Sequence, residues 1–229
     1  MKKFELTNEF VTNMFGTKLF RIRALVEFGD VEAGELGGYV EKESNLGHDD
    51  NAWVYDNAWV YGNARVYGDA LVYDNARVYG NALVCGNALV YGNARVYGNA
   101  WVHGDAQVSG DARVSGNARV YDNAWVYGNA QVSGDARVCG DARVCGNGDY
   151  AYAHGFGSVN RTTTFFRLKD GGVGVRCGCF YGTLAQFRDK IRETHGETKK
   201  AQEYLMLADL MELRFEEDEN EVGNRKYVE

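Results

Sequence analysis

The chain has 229 residues, of which 45% are hydrophobic, and its formal net charge is −7 at pH 7. This acidic balance excludes a general electrostatic grip on nucleic acid, although it leaves room for a local basic patch. The sequence shows no signal-peptide pattern and no apolar run of membrane-spanning length. We therefore expect a cytoplasmic protein that does not contact a membrane.

Residues 1–50 are predicted to cover the N-terminal end of the repeat that follows them. Residues 19–26 alternate apolar and polar side chains, which indicates a strand. His48 stands where the later repeat units have Val, which suits a structural role better than a catalytic one. An open end of stacked strands presents unpaired backbone groups and would polymerise, so such a cap is needed.

Residues 51–146 consist of sixteen six-residue units, Asn/Asp-Ala-x-Val-x-Gly/Asp, without an insertion. The Ala-x-Val-x stretch predicts a strand and the Gly/Asp-Asn/Asp pair predicts a turn. Tight hairpins would bring Ala and Val to one face in one strand and to the opposite face in the next, so neither face would be apolar. Corners of a coil keep every Ala and Val inside. The repeat therefore predicts a parallel β-solenoid, which we assign to residues 51–150.

The spacing of an aliphatic residue and a small residue four positions later, as in residues 54–59, resembles the hexapeptide-repeat family of left-handed parallel β-helices. The resemblance implies a mainly β fold with three units per turn, so that residues eighteen apart stack on three flat faces. The left hand is implied by the resemblance alone, because crossover connections are otherwise right-handed.

Residues 151–229 are predicted to form a small C-terminal ββαα module that joins subunits or binds a target. A linker through Gly157 leads to strands over 161–168 and 173–180. A first helix is expected from near Thr183 to His195, and a second over about 197–215. The acidic residues 216–221 are expected to fray.

The second predicted helix is apolar on two sides, with Tyr204 and Met211 on one side and Leu207 and Leu210 on the other. A helix of this kind is more buried than a small module alone can arrange. We expect it to pack on the solenoid or on another subunit, which makes these four residues candidates for an oligomer or partner interface.

The five cysteines are predicted to be free thiols. Their number is odd and no Cys-x-x-Cys pair occurs, so neither a disulfide framework nor a zinc site is expected. Cys177 and Cys179 form a Cys-x-Cys on a predicted strand. We predict no metal and no cofactor.

One face of the predicted solenoid, face one, is apolar over its N-terminal half. Its two outward columns there are Trp53, Leu71 and Leu89 beside Tyr55, Tyr73 and Tyr91. Such ladders either favour strand stacking or form an interface with a second copy, the C-terminal helices or a target protein. We favour the interface, with a homo-oligomer (dimer or trimer) ahead of a foreign partner, for which a host protein is the candidate.

The next face, face two, carries Arg77, Arg95 and Arg113 stacked about 4.8 Å apart. Aligned like charges need counter-anions, which corner aspartates, a tyrosine ring or an external polyanion could supply. Nucleotide or nucleic-acid phosphates are one possibility, with Tyr79 and Tyr97 as stacking surfaces. A solvated face with Arg over Tyr is the simpler interpretation and the favoured one for an acidic chain.

Catalysis is not expected, and no catalytic residue is assigned. Hexapeptide-type acyltransferases, by resemblance, use a His as general base beside loops that extrude from the coils. The array here has no such loop, and its only histidine is His103 on a flat outward column. His48, His154 and His195 fall in the predicted cap, linker and helix end. Three histidines that converge on a metal are therefore not available within the array.

Residues 29–54 and 162–215 resemble the flanks of hexapeptide-repeat proteins from bacteriophages and prophages. The first segment also resembles an enterobacterial acyltransferase-like hexapeptide protein. These resemblances imply a non-catalytic phage or prophage accessory protein that acts by stoichiometric binding in the bacterial cytoplasm, with inhibition of host antiviral defence as one outcome. A hexapeptide-type acyltransferase and a passive structural scaffold are the alternatives.

Overall fold

The computed structural model describes residues 2–156 and 161–216. The chain begins with an antiparallel meander of β1 (Phe4–Thr12), β2 (Lys18–Ala24) and β3 (Leu36–Val40), followed by a 3₁₀ turn at Glu43–Asn45. Strand β3 then pairs in parallel with the solenoid, with Tyr39 opposite Trp59 and Val40 opposite Val60. The N-terminal segment thereby extends face two and is continuous with the solenoid.

The repeat forms sixteen two-residue strands on three parallel sheets. Face one consists of β4 (Trp53–Val54), β7 (Leu71–Val72), β10 (Leu89–Val90), β13 (Gln107–Val108), β16 (Trp125–Val126) and β19 (Arg143–Val144). Face two consists of β5 (Trp59–Val60), β8 (Arg77–Val78), β11 (Arg95–Val96), β14 (Arg113–Val114) and β17 (Gln131–Val132). Face three consists of β6 (Arg65–Val66), β9 (Leu83–Val84), β12 (Trp101–Val102), β15 (Arg119–Val120) and β18 (Arg137–Val138).

Each short strand pairs with the strand eighteen residues further along, as Arg77 does with Arg95 and Arg95 with Arg113. The predicted fold class, a parallel β-solenoid followed by strands and two helices, is confirmed. The strands are shorter than the predicted four residues because Ala already belongs to the corner. The N–H of Ala58, for example, donates to the carbonyl of Tyr55 across the turn (3.1 Å).

The core is a continuous column of the repeat's alanines and valines. Every one of them from Ala52 to Val144 is fully buried. Burial of each valine side chain stabilises the fold by about 1.5–3 kcal/mol, which explains why a four-residue alternating motif suffices to set the shape.

The corner conformation explains why the last position of the unit is either Gly or Asp. Gly80 has φ +72°, and a Cβ at this position would lie 3.0 Å from the amide nitrogen of Gly98. Asp74 adopts the same left-handed conformation (φ +58°), and its carboxylate accepts the N–H of Gly92 on the next coil (3.0 Å). This hydrogen bond offsets the strain that a side chain would otherwise impose there.

Two side chains satisfy the backbone at the N-terminal end of the solenoid. The amide of Asn45 donates to the carbonyls of Gly62 (3.1 Å) and Ala64 (2.8 Å). The ammonium of Lys3 donates to the carbonyls of Asp50 (2.6 Å) and Ala52 (2.8 Å), and burial lowers the Lys3 pKa to about 8. These contacts block the strand edge that would otherwise pair with another chain.

In its described part, the C-terminal module has four strands, not the two that were predicted. Strands β20 (Tyr150–Phe156), β21 (Arg161–Arg167), β22 (Val173–Cys177) and β23 (Phe180–Thr183) form an antiparallel meander in chain order. The predicted linker is therefore strand β20 over its described part, while residue 157 lies outside the described residues. The predicted strand over 173–180 is broken at Gly178 (φ +59°), which turns the chain and places Cys179 outside both strands.

Two helices follow the strands, as predicted, and they cover one face of this sheet. The buried side of the second helix packs within the module, and not on the solenoid or on another subunit as expected. Helix α1 (Leu184–His195) begins after Thr183, whose hydroxyl accepts the N–H of Gln186. Helix α2 (Lys199–Phe215) is the last described element. Neither described helix combines the length and the apolarity that crossing a bilayer requires. None of the five cysteines, all of which lie within the described residues, forms a disulfide. Of the predicted frayed residues 216–221, all but Glu216 lie outside the described part.

The other face of the sheet closes the C-terminal end of the solenoid. Phe166 is fully buried against the alanine and valine column. The hydroxyl of Thr164 accepts the N–H of Arg137 (2.9 Å), and the N–H of Lys169 donates to the carbonyl of Asp141 (3.0 Å). The last coil is therefore covered by a strand of the module.

Candidate binding site on the solenoid faces

Face two brings the predicted arginines into one column. Arg77, Arg95 and Arg113 lie in parallel register on β8, β11 and β14. The guanidinium of Arg77 lies 4.4 Å from the ring centroid of Trp59, whereas Arg95 and Arg113 are exposed. Over residues 2–156 and 161–216, none of the three guanidinium groups lies within ion-pair distance of a carboxylate.

Beside the arginines, three tyrosines form a ring stack. Tyr61 and Tyr79 are 5.0 Å apart between centroids and nearly coplanar (4°), and Tyr79 and Tyr97 repeat this geometry (5.0 Å, 3°). Burial raises the pKa of Tyr61 and Tyr79, so both hydroxyls stay neutral at physiological pH. Since a neighbouring ring covers each face of Tyr79, the prediction that Tyr79 stacks on a base is wrong. Tyr97 stacks on a neighbouring ring with one face only, so its other ring face stays available for stacking.

The two edges of face two differ in charge. At the edge beyond the tyrosines, the side-chain amides of Asn63, Asn81, Asn99 and Asn117 form a hydrogen-bonded ladder that ends on Asp135. The opposite edge carries Asp56 and Asp74, whose carboxylates accept backbone N–H groups of the next coil. The tyrosine side of the face is therefore uncharged over most of its length.

Face one differs from the prediction at its first residue. Trp53 is fully buried, because Phe4 and Phe28 of the N-terminal segment pack edge-on against its indole (6.2 and 5.3 Å between centroids). The prediction that Trp53 belongs to a partner interface is therefore wrong. Tyr55 also packs edge-on against this indole (6.5 Å).

The remaining face-one candidates lie at the surface but are half-buried. Leu71 and Leu89 stack in register, and the rings of Tyr73 and Tyr91 are parallel at 4.9 Å. Burial raises the pKa of Tyr73 to about 12. The exposed part of the predicted apolar patch is thus reduced to these four side chains and Tyr55.

Small residues interrupt the outward columns of aromatic side chains. Two of the resulting gaps are covered by a tryptophan side chain. On face one the indole N–H of Trp125 donates to the hydroxyl of Ser109 (3.0 Å), and on face three that of Trp101 donates to the Cys85 sulfur (3.3 Å). In both cases the tryptophan follows the small residue by sixteen positions. Ser109 and Cys85 are consequently buried.

Face two has such gaps at Ser115 and Ser133, directly after Tyr97 in the column. The residues sixteen positions later are Gln131 and Asp149, not tryptophan. The carboxylate of Asp149 is engaged by the N–H groups of Cys145 and Gly146 (3.0 and 2.9 Å). Ser115 and Ser133 stay partly exposed. Sequence reasoning missed these serines, although the change from Tyr to Ser along one column was visible.

The four histidines all contact neighbouring groups. His103 stacks on Tyr121 (5.0 Å, 7°) and burial lowers its pKa, while His48 stacks on Phe4 (4.5 Å) and accepts the N–H of Lys3. His154 contacts the hydroxyl of Thr162 (2.9 Å), and His195 stacks on Tyr204. Within the described residues, no group of three His, Cys, Asp or Glu side chains is placed to hold a metal ion.

Helix α2 separates its four candidate residues into two sets. Tyr204 and Met211 are buried in the core of the module, so their predicted place at an interface between chains is wrong. Leu207 is partly buried. Leu210 is 54% exposed, and Met206 and Leu213 beside it are exposed as well. The free apolar surface of the helix therefore consists of Met206, Leu210 and Leu213.

Comparison with known proteins supports a β-solenoid repeat family for the central segment. The family model described as the YdcK beta solenoid repeat matches nine windows that together cover residues 58–104 and 106–146. The match does not extend to the N-terminal segment or to the C-terminal module. No curated protein matches the chain.

Proposed function

We propose that this chain, whose centre is a β-solenoid similar to the YdcK repeat, acts by stoichiometric binding of an anionic partner on face two. The observation that carries the proposal is the column of Arg77, Arg95 and Arg113 without an ion-paired carboxylate in the described structure. The strands that carry these arginines are about 4.8 Å apart, so their like charges repel each other, and an external anion relieves that repulsion.

The shape of the surface supports binding over catalysis. A face of uninterrupted two-residue strands offers a long flat surface, whereas catalysis needs a general base beside a sheltered substrate. His103, which lies on the array, is held between the rings of Trp101 and Tyr121. An acyltransferase would need an imidazole that is free to accept a proton.

The biological setting that we propose is that of a phage or prophage accessory protein in the bacterial cytoplasm, with inhibition of host antiviral defence as its effect. The resemblance of residues 29–54 and 162–215 to phage-type flanks supports this setting. Affinity purification from a bacterial host, with the arginine variant below as the control bait, tests it. Recovery of acyl-CoA bound in stoichiometric amount would favour the acyltransferase alternative.

The first test replaces Arg77, Arg95 and Arg113 together by Gln and measures binding of inorganic polyphosphate and of poly(U). We expect affinity to fall about 100-fold, since each exposed charge contact contributes up to about 1 kcal/mol. The slope of log K against log salt for poly(U) should flatten by about 2, because three phosphate contacts are lost.

The matched control replaces Arg65, Arg119 and Arg137 on face three by Gln. It makes the same change in net charge at the same position of the repeat unit. Equal losses of affinity in the two triple variants would show a general charge effect and contradict a site on face two.

We further propose that Met206, Leu210 and Leu213 on helix α2 join two copies of the chain. Monomeric proteins rarely leave a row of exposed apolar side chains uncovered. A Leu210→Glu variant should run as a monomer of 25.5 kDa by light scattering, while the unchanged chain runs at a multiple of that mass. Met14→Glu, at the exposed turn between β1 and β2, is the control and should keep the oligomer. A monomeric unchanged chain would contradict the proposal.

A further inference from the structure

The gap after Tyr97 on face two has the form of a slot. Tyr97 contacts the ring of Tyr79 on one face and makes no other ring or cation contact in the described structure. Along the same column, Tyr97 is followed by the small side chains of Ser115 and Ser133. At the far end the hydroxyl of Tyr152 lies over Gly134, where a Cβ would be 2.3 Å from the oxygen.

The same molecule shows what fills such a gap elsewhere. At Ser109 and at Cys85 the indole of a tryptophan sixteen residues later covers the small residue and hydrogen-bonds to it. Gln131 stands in the corresponding place for Ser115, so no aromatic side chain of the coil closes this gap. At the N-terminal end of the stack, by contrast, Glu41 occupies the column and its carboxylate accepts the N–H of Gly62 (2.6 Å).

The geometry selects a flat ring as the occupant. Successive rings in the column are 5.0 Å apart and nearly parallel, so a planar group placed on Tyr97 above Ser115 continues an existing stack. Arg113 precedes Ser115 by two residues, so the Cα atoms of the two residues are about 6.6 Å apart along the strand and both side chains point to the outer face. Arg113 is exposed and has no carboxylate partner in the described structure. The site thus combines a ring surface with a cationic group.

We propose that this slot binds a nucleoside monophosphate, with its base stacked on Tyr97 and its phosphate held by Arg113. The amide ladder passes Asn99 and Asn117 at the neighbouring corner and supplies donors and acceptors for a base edge. Asp135 lies at the same corner, and its carboxylate is engaged by the Asn117 amide (2.9 Å). The slot rests on the proposed function, since it names the ligand of face two.

Substitution of Ser115 by tyrosine tests the slot. Tyrosine occupies the equivalent position in Tyr61, Tyr79 and Tyr97, so the Ser115→Tyr chain is expected to fold and to stack its own ring on Tyr97. Ser115→Ala is the matched control, because it keeps the gap open. Binding of AMP, GMP, CMP and UMP is measured by calorimetry, and folding by circular dichroism.

We expect Ser115→Tyr to weaken binding of the monophosphates about ten-fold or more, because the stacking surface is taken. Ser115→Ala should bind like the unchanged chain. Equal affinities of the two variants, or no binding of any monophosphate by the unchanged chain at millimolar concentration, would overturn the slot. Binding of N-acetyltyrosinamide in place of the nucleotides would also overturn it, in favour of a protein side chain as the ring.

Polyphosphate separates the two proposals, because it is an anion without rings. If Ser115→Tyr leaves polyphosphate binding intact and the arginine variant abolishes it, failure to bind nucleotides refutes the slot alone. If polyphosphate binding does not depend on the three arginines while Ser115→Tyr abolishes nucleotide binding, the proposed function of the whole face is refuted, and of the slot only the stacking of a base on Tyr97 is supported.

Discussion

Replacement of Asn45 by leucine is expected to destabilise the first coil of the solenoid by about 2–5 kcal/mol. The Asn45 side chain is fully buried and uses all its principal hydrogen-bonding groups. Its amide nitrogen donates to the carbonyls of Gly62 and Ala64, and its oxygen accepts the N–H of Lys42 (2.9 Å). Leucine would leave these three backbone groups without their side-chain partner, and the bond to the Ala64 carbonyl is buried.

The loss should be local, because each coil contacts only its neighbours. Hydrogen exchange of the Gly47 and Gly62 amides is expected to speed up, while amides in the middle coils keep their protection. Asn63→Leu is the control one coil further on. Asn63 lies at the same corner but is exposed, and its side chain bonds only to other side chains, as donor to Asn81 and as acceptor from the Lys42 ammonium. A loss of stability as large in Asn63→Leu would contradict the capping role of Asn45.

Replacement of Phe166 by alanine is expected to lower the free energy of unfolding by about 3–5 kcal/mol. Phe166 is fully buried between the sheet of the C-terminal module and the last alanines and valines of the solenoid. Removal of its ring leaves a cavity where the two parts meet. The backbone bridge between Ala142 and Leu168 beside it should then open more often.

Urea unfolding measures this loss, and Phe15→Ala is the control. Phe15 is 81% exposed at the turn between β1 and β2, so its truncation should change stability by no more than about 0.5 kcal/mol. A second expected result is association of the Phe166→Ala chains at high concentration, since the last coil would expose an unpaired edge. Unchanged stability would show that hydrogen bonds such as that between Arg137 and Thr164, and not the ring, hold the module on the coil.

Asn45 and Phe166, which cover the two ends of the solenoid, illustrate why the candidate site depends on the caps. The arginine column and the tyrosine stack exist only while successive coils stay in register, and register is held by the backbone ladder from β3 through β17. A frayed end would separate rings that are now 5.0 Å apart. Stability and binding variants should therefore be compared only after folding has been checked.

The positions of the face-two arginines were predicted correctly because the period of six, together with the three units per turn that the family resemblance implies, leaves one register. The sequence did not predict that Tyr79 would be covered on both sides. That outcome depends on side-chain rotamers, which bring the rings of neighbouring coils to stacking distance. It also missed the slot at Ser115. That slot stands out only because Trp125 and Trp101 cover Ser109 and Cys85, sixteen residues earlier in the chain, and these contacts are visible only in the structure.

The sequence by itself determined the solenoid, its inward and outward positions and the two C-terminal helices, because these follow from local periodicity and capping residues. Only the tertiary structure decided what covers the ends and what remains exposed. Trp53 became core because Phe4 and Phe28 meet it across a long stretch of chain, and residues 150–156 became a strand because β21 offers it a partner. Contacts of this kind join distant segments that no repeat relates, so no periodic pattern in the sequence encodes them.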